Sequence, residues 1–180
     1  PTVYIEGGMG IFRDCVIRNN RRQYEMNTQI EGGAFYVGAN YFCCPDDKNI
    51  GVLVLDRCKV LSNFLDNTDG GNGVTLSGAG IQVKDESWAI IMNSLIADNY
   101  FMGDVANNTN WSRGTGIDVF NGKISMFNTT ITGNQGFVTN QYGSGLSLSN
   151  SEESSDTRVI ILNSIIAGNT PSTDQMHITD

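Results

Sequence analysis

One short motif recurs through the chain and confines it to a stacked architecture. It reads apolar-x-x-Asn and occurs five times, ending at Asn20, Asn63, Asn99, Asn134 and Asn169. The apolar residues are Ile17, Val60, Ile96, Ile131 and Ile166, and the asparagines step by 43, 36, 35 and 35 residues. A small polar or sulfur residue precedes each copy, at Cys15, Cys58, Ser94, Thr129 and Ser164. Self-similarity at a fixed period marks a chain built from repeated supersecondary units, each burying its apolar face only against its neighbours.

A second motif interleaves with the first. Gly32-Gly33-Ala34-Phe35-Tyr36-Val37, Gly78-Ala79-Gly80-Ile81-Gln82-Val83, Gly114-Thr115-Gly116-Ile117-Asp118-Val119 and Gly143-Ser144-Gly145-Leu146-Ser147-Leu148 share one form. Each sets small residues at a corner and then a short strand with alternating apolar positions. Gly8-Met9-Gly10-Ile11 reads as a fifth copy. A lone GxG suggests a phosphate loop, whereas repeated copies that each lead into a strand mark corners.

Each period thus reads as corner, strand, loop, strand, small turn, strand, asparagine, loop. That is too little chain for a helix-bearing crossover, and no segment shows a 3.6-residue period. Equivalent strands one period apart pair at about 4.8 Å. The expectation is an all-β fold: a right-handed single-stranded parallel β-helix of about five coils, with inserted loops and residues 1–180 in one domain. Asn20, Asn63, Asn99, Asn134 and Asn169 would form a structural ladder, since asparagine tolerates left-handed geometry and bonds backbone at bends. The chain starts at Pro1 in mid-pattern, which reads as a processed product or a piece of a longer protein.

These motifs resemble the repeats of pectate-lyase-like and polymorphic outer-membrane β-helix proteins. The latter family carries GGA[ILV] and FxxN motifs. Gly32-Gly33-Ala34-Phe35 is close to the first, and the five apolar-x-x-Asn endings correspond to the second with Ile or Val replacing Phe. Asn163-Ser164-Ile165-Ile166-Ala167-Gly168-Asn169-Thr170 is similar to the final repeats of secreted β-helices with C-terminal anchors. The resemblance covers nearly the whole chain and implies export, surface display and adhesion.

Charge narrows the partners. The chain carries 11 Lys or Arg against 19 Asp or Glu, a formal net charge of −8. All of the excess lies in residues 61–180, which hold four basic and twelve acidic residues (4 − 12 = −8). An acidic surface repels phosphate backbones, which argues against nucleic acid. No apolar run approaches the roughly 18 residues of a membrane span. Arg13, Arg18, Arg21 and Arg22 form a local basic cluster that reads as a solvated turn.

Two loop columns are expected to project, one at residues 21–31, 64–77, 100–113 and 135–142, the other at 38–50, 84–87, 121–122 and 149–157. The first is aromatic, and Tyr100, Phe101, Trp111, Phe137 and Tyr142 are candidate binding residues for glycans or protein partners; the alternative is that they cover a flank of the coils. Cys15 and Cys58 share a repeat position and can bond or line the core as thiols, while Cys43 and Cys44 lie in an inserted loop. Sequons for N-glycosylation begin at Asn107, Asn110 and Asn128, the last at a tight turn that limits access.

The catalytic patterns of polysaccharide-cleaving β-helices are incomplete. Asn67-Thr68-Asp69 and Asp46-Asp47 match two strings of the polygalacturonase set, but GHG and RIK do not occur. The one histidine, His177, has no acidic cluster near it in sequence, and Asp118 stands mid-strand with no aligned arginine. No catalytic residue, metal ligand or cofactor site emerges. The expected function is a non-enzymatic extracellular or cell-surface β-helix, a spacer, adhesion or filament component that binds through its loops and assembles end to end. The alternative is a lyase or glycoside hydrolase acting on acidic polysaccharide.

Overall fold

The computed structural model describes residues 1–23, 29–41, 48–68, 74–103, 111–136, 140–151, 157–170 and 175–179. The secondary structure of these residues is strand and turn, run through in successive passes. The first pass is β1 (Val3–Glu6), β2 (Gly8–Arg13), β3 (Val16–Arg18), β4 (Arg21–Gln23) and β5 (Gln29–Glu31). The second is β6 (Phe35–Gly38), an outlying pair β7 (Asn40–Tyr41) and β8 (Lys48–Asn49), then β9 (Gly51–Asp56), β10 (Lys59–Leu61), β11 (Phe64–Asn67) and β12 (Thr75–Ser77). The third is β13 (Ile81–Lys84), β14 (Trp88–Met92), β15 (Leu95–Ala97), β16 (Tyr100–Gly103) and β17 (Trp111–Arg113). The fourth is β18 (Ile117–Phe120), β19 (Lys123–Phe127), β20 (Thr130–Thr132) and β21 (Asn140–Tyr142). β22 (Leu146–Ser149), β23 (Arg158–Leu162), β24 (Ile165–Ala167) and β25 (Met176–Thr179) complete the described chain.

Equivalent strands of adjacent passes pair in parallel. The first sheet is β1-β6-β13-β18-β22-β25, the second β2-β9-β14-β19-β23 and the third β3-β10-β15-β20-β24. The fourth is β4-β11-β16 and the fifth β5-β12-β17-β21, while β7 and β8 pair antiparallel outside the stack. Ile17, Val60, Ile96, Ile131 and Ile166 stand in one register, the aliphatic column expected from the repeat. Each fully buried member contributes about 1.5–3 kcal/mol by leaving water.

Two sequence expectations are corrected. Residues 21–31, 64–77, 100–113 and 135–142 are not simply projecting loops, because they begin or end in strands of the fourth and fifth sheets. Ile30, Leu65, Val74, Leu76, Ala79 and Phe101 bury together there as a second core. The strands escape notice because three or four residues give too few alternations for a period to register. Gly8-Met9-Gly10-Ile11 is not a corner either. It lies in β2, with Met9 opposite Val52 in the second sheet.

The two repeated motifs meet inside the stack. Nδ2 of Asn20 donates to Oδ1 of Asn63 at 2.7 Å, Asn63 to Asn99 at 2.9 Å, Asn99 to Asn134 at 2.9 Å and Asn134 to Asn169 at 2.8 Å. The second N–H of each inner amide donates to the carbonyl of the apolar residue one pass earlier, as from Asn99 to Val60 at 3.2 Å. Each Oδ1 also accepts the backbone N–H of the preceding asparagine, so the buried amides are satisfied. Opposite the ladder stand Gly80, Gly116 and Gly145. A Cβ added there would lie 3.2, 3.0 and 2.7 Å from Nδ2 of Asn99, Asn134 and Asn169. The preceding glycines, Gly78, Gly114 and Gly143, have positive φ and turn the fifth sheet into the first.

A second row of residues with positive φ, Asp14, Arg57, Asn93, Asn128 and Asn163, turns the second sheet into the third. The residues after it explain the small polar or sulfur column. Ser94 Oγ accepts the backbone N–H of Cys58 at 3.0 Å and donates to the carbonyl of Met92 at 2.6 Å. Cys15 and Cys58 point their thiols at the equivalent carbonyls of Arg13 and Asp56.

Three substitutions test the ladder against the corner. Asn99→Ala strands the donors of Asn63 in the interior and is expected to cost about 3–5 kcal/mol by urea unfolding, against about 1 kcal/mol for Asn20→Ala at the end. Gly116→Ala is expected to lower stability by about 1–3 kcal/mol through overpacking alone.

Candidate functional site

Strand alternation sends Ile117 and Val119 of β18 into the first core and Asp118 and Phe120 to the other face of the first sheet. That face does not open freely to solvent. The glycine corner folds the fifth sheet back, so the outward faces of the two sheets look at each other across a groove. Glu31, Ser77, Arg113 and Tyr142 form one row in the fifth sheet. Tyr36, Gln82, Asp118, Ser147 and His177 form the facing row in the first.

Two depressions adjoin in this groove, of about 110 Å³ around Gln82 and Asp118 and about 460 Å³ around Ser147 and His177. Arg113 and Phe120 line both. Lys84 Nζ pairs with Glu31 Oε1 at 2.9 Å, with both side chains mostly buried. Lys84 and the Arg113 guanidinium also lie 5.7 and 5.3 Å from the centre of the Phe120 ring. Arg113 Nη1 reaches Ser149 Oγ at 3.4 Å, and Tyr142 packs on His177 with ring centres 4.7 Å apart.

The floor between these side chains is polar and poorly satisfied. Gln82, Asp118 and Ser147 are each 1% exposed, and Oε1, Oδ1 and Oγ respectively have no hydrogen-bond partner. Among the described residues six buried side-chain atoms stand unpartnered, and half of them are in this one row. Burial pushes the Asp118 carboxyl up from an ordinary 3.8 to about 6, against the opposing pull of Gln82, the Arg113 charge and Ser147. No arginine aligns with Asp118 in its own sheet, and the arginine that acts on it, Arg113, comes from the neighbouring sheet, which a strand-by-strand reading does not bring into view. The legible signal was the polar residue between two apolar ones after each corner, at Gln82, Asp118 and Ser147.

The other candidate residues are dispersed. The ladder asparagines come together as described, and an unanticipated residue closes the column: Gln175 Oε1 accepts from the backbone N–H and Nδ2 of Asn169 at 2.8 and 3.0 Å. Cys15 and Cys58 are free thiols rather than a disulfide, and burial raises the Cys58 pKa. Tyr100 stacks on Phe64 with centres 4.8 Å apart on the fourth sheet, whereas Tyr142 belongs to the groove. Phe101 is 0% exposed and belongs to the second core, so it offers no binding surface, and Tyr100 and Tyr142 stand in different sheets. Asn128 is exposed at its turn, contrary to the limited access expected, and donates to Asn93 Oδ1 at 3.2 Å. Cys43, Cys44, Asn107, Asn110, Phe137 and the side chain of Trp111 lie outside the described residues.

Among the described residues no group of three or more His, Cys, Asp or Glu side chains could hold a metal, and no helix is long and apolar enough to cross a membrane. No family model, curated protein or solved structure matches the chain.

The raised Asp118 pKa gives a pH test with a defined sign. The folded state takes up a proton between about pH 4 and pH 6 that the unfolded state does not, so stability falls as pH rises through that window. Asp118→Asn is expected to remove this slope and to gain on the order of 2–3 kcal/mol at neutral pH. Urea unfolding at both ends of the window checks it; an unchanged slope in the variant would place the titration elsewhere.

Proposed function

We propose that the sheets form one right-handed single-stranded β-helix of about five coils, related in kind to the pectate-lyase-like and outer-membrane repeats. On this reading it serves outside the cell or at its surface as a non-enzymatic rod, a spacer or filament component that lengthens through its ends. The observation that carries the reading is the state of the terminal strands. Val60, Ile96 and Ile131 are 0% exposed, while Ile17 and Ile166, at the two ends of the same column, are only partly buried. Met176 and Ile178 stand opposite the buried Leu146 and Leu148, yet are 41% and 57% exposed. Unpaired strand edges with apolar inner faces are templates for further strands, whether from further coils of the same protein or from a second copy stacked head to tail.

The alternative, cleavage of an acidic polysaccharide, draws on Asp118 and His177 in the groove. Inverting hydrolysis needs a second carboxylate free to act as base. The other carboxylate of the groove, Glu31, is engaged by Lys84, so this reading ranks second.

Sedimentation velocity across a range of protein concentrations tests the rod. Oligomers that grow with concentration are expected, and Ile178→Lys is expected to weaken association at least about tenfold while keeping the β-rich circular dichroism. A strictly monomeric wild-type chain would sink the proposal.

A further inference from the structure

The groove between the first and fifth sheets is not needed for end-to-end stacking, and its floor is costly as architecture. A stack that wanted a polar residue between Ile117 and Val119 would be served by Ser, as at Ser147, or by Gln, as at Gln82. A buried carboxyl instead lowers stability at neutral pH, and such groups persist where they contact a ligand.

We propose that Gln82, Asp118 and Ser147 form the floor of a binding site for a neutral polyhydroxylated ligand, one or two sugar units of a saccharide. Three observations fix the class. The unpartnered atoms Gln82 Oε1 and Asp118 Oδ1 are acceptors and call for hydroxyl donors, while the unpartnered Ser147 hydroxyl both gives and accepts. In the smaller depression, over the floor atoms, Arg113 and Lys84 stand against Asp118 and Glu31, so the charges there balance and favour neither an anion nor a cation. Phe120 and Tyr142 line the depression of about 460 Å³ and supply aromatic surface for the C–H groups of a sugar ring. The floor atoms are shielded, and the shield is made of long side chains. Arg113 rests on Phe120 and touches Ser149 at 3.4 Å, a contact a ligand displaces by swinging the guanidinium aside.

Calorimetric titration of the whole chain with cellobiose, maltose and chitobiose, and with digalacturonate as the acidic counterpart, tests the site. Binding of at least one neutral disaccharide is expected. Asp118→Ala is expected to weaken it about tenfold or more, and Asp118→Asn, which keeps a carbonyl acceptor, to retain most of it. Should Asp118→Ala fail to fold, Gln82→Met removes the neighbouring acceptor and is expected to give a similar loss. Binding of digalacturonate alone, no binding of any of the four, or wild-type affinity in the alanine variant would each overturn the proposal. None of these outcomes touches the oligomer test, so the site and the rod stand or fall separately.

Discussion

Everything in this fold hangs on a narrow interior waist, where a column of asparagine amides lies against a row of glycines. The amides run the length of the stack and take up their own hydrogen-bonding capacity together with that of the bend they occupy. They stand where the third sheet gives way to the fourth, and the glycines stand where the fifth returns to the first. At Gly80, Gly116 and Gly145 an added methyl would crowd the amides, so the two corners lie against each other in those passes, while Ala34 takes the equivalent place in the second pass. On one side of the waist lies the core of the first three sheets, and on the other the smaller core around Leu65, Leu76 and Phe101. The groove is the outer counterpart of this constriction: a cross-section pinched from within must be notched from without.

How much of this the sequence displays depends on how far each signal reaches. The ladder and the column from Ile17 to Ile166 are legible because each member repeats one residue type at one phase, and parallel stacking maps phase directly onto space. The corners are legible for the same reason, although the sequence does not reveal that they touch the ladder. The fourth and fifth sheets hide behind variety: Arg22, Leu65 and Phe101 share a register position with little chemistry in common. Phe101 accordingly reads as a surface aromatic when it is core. The groove is hidden at a further remove, because Asp118 and Arg113 are in different sheets and only the turn at Gly114 makes them neighbours.

The same logic explains why polar residues are tolerated so deep in the stack. In the ladder each polar atom meets a partner supplied by the next pass, so repetition itself satisfies it. In the row of Gln82, Asp118 and Ser147 the repeat is broken by three different side chains, and Oε1, Oδ1 and Oγ are left without partners. Burial of the carboxyl then outweighs the opposing pull of Gln82, Arg113 and Ser147 and raises its pKa. Uniform rows make structure, and mixed rows make chemistry.

The outlying pair of β7 and β8 shows what such a stack permits. Between Val37 and Val52 the chain spends 15 residues where the equivalent stretch from Val83 to Trp88 spends five, yet both ends keep their register with the next pass. The surplus closes into a small antiparallel hairpin outside the sheets. Closing a longer loop costs little extra entropy once its ends are fixed, about 0.6 kcal/mol for each doubling. The junction between β6 and β9 is therefore a natural port for foreign sequence, where a peptide epitope or a small domain can be grafted while the scaffold beneath it stays in frame.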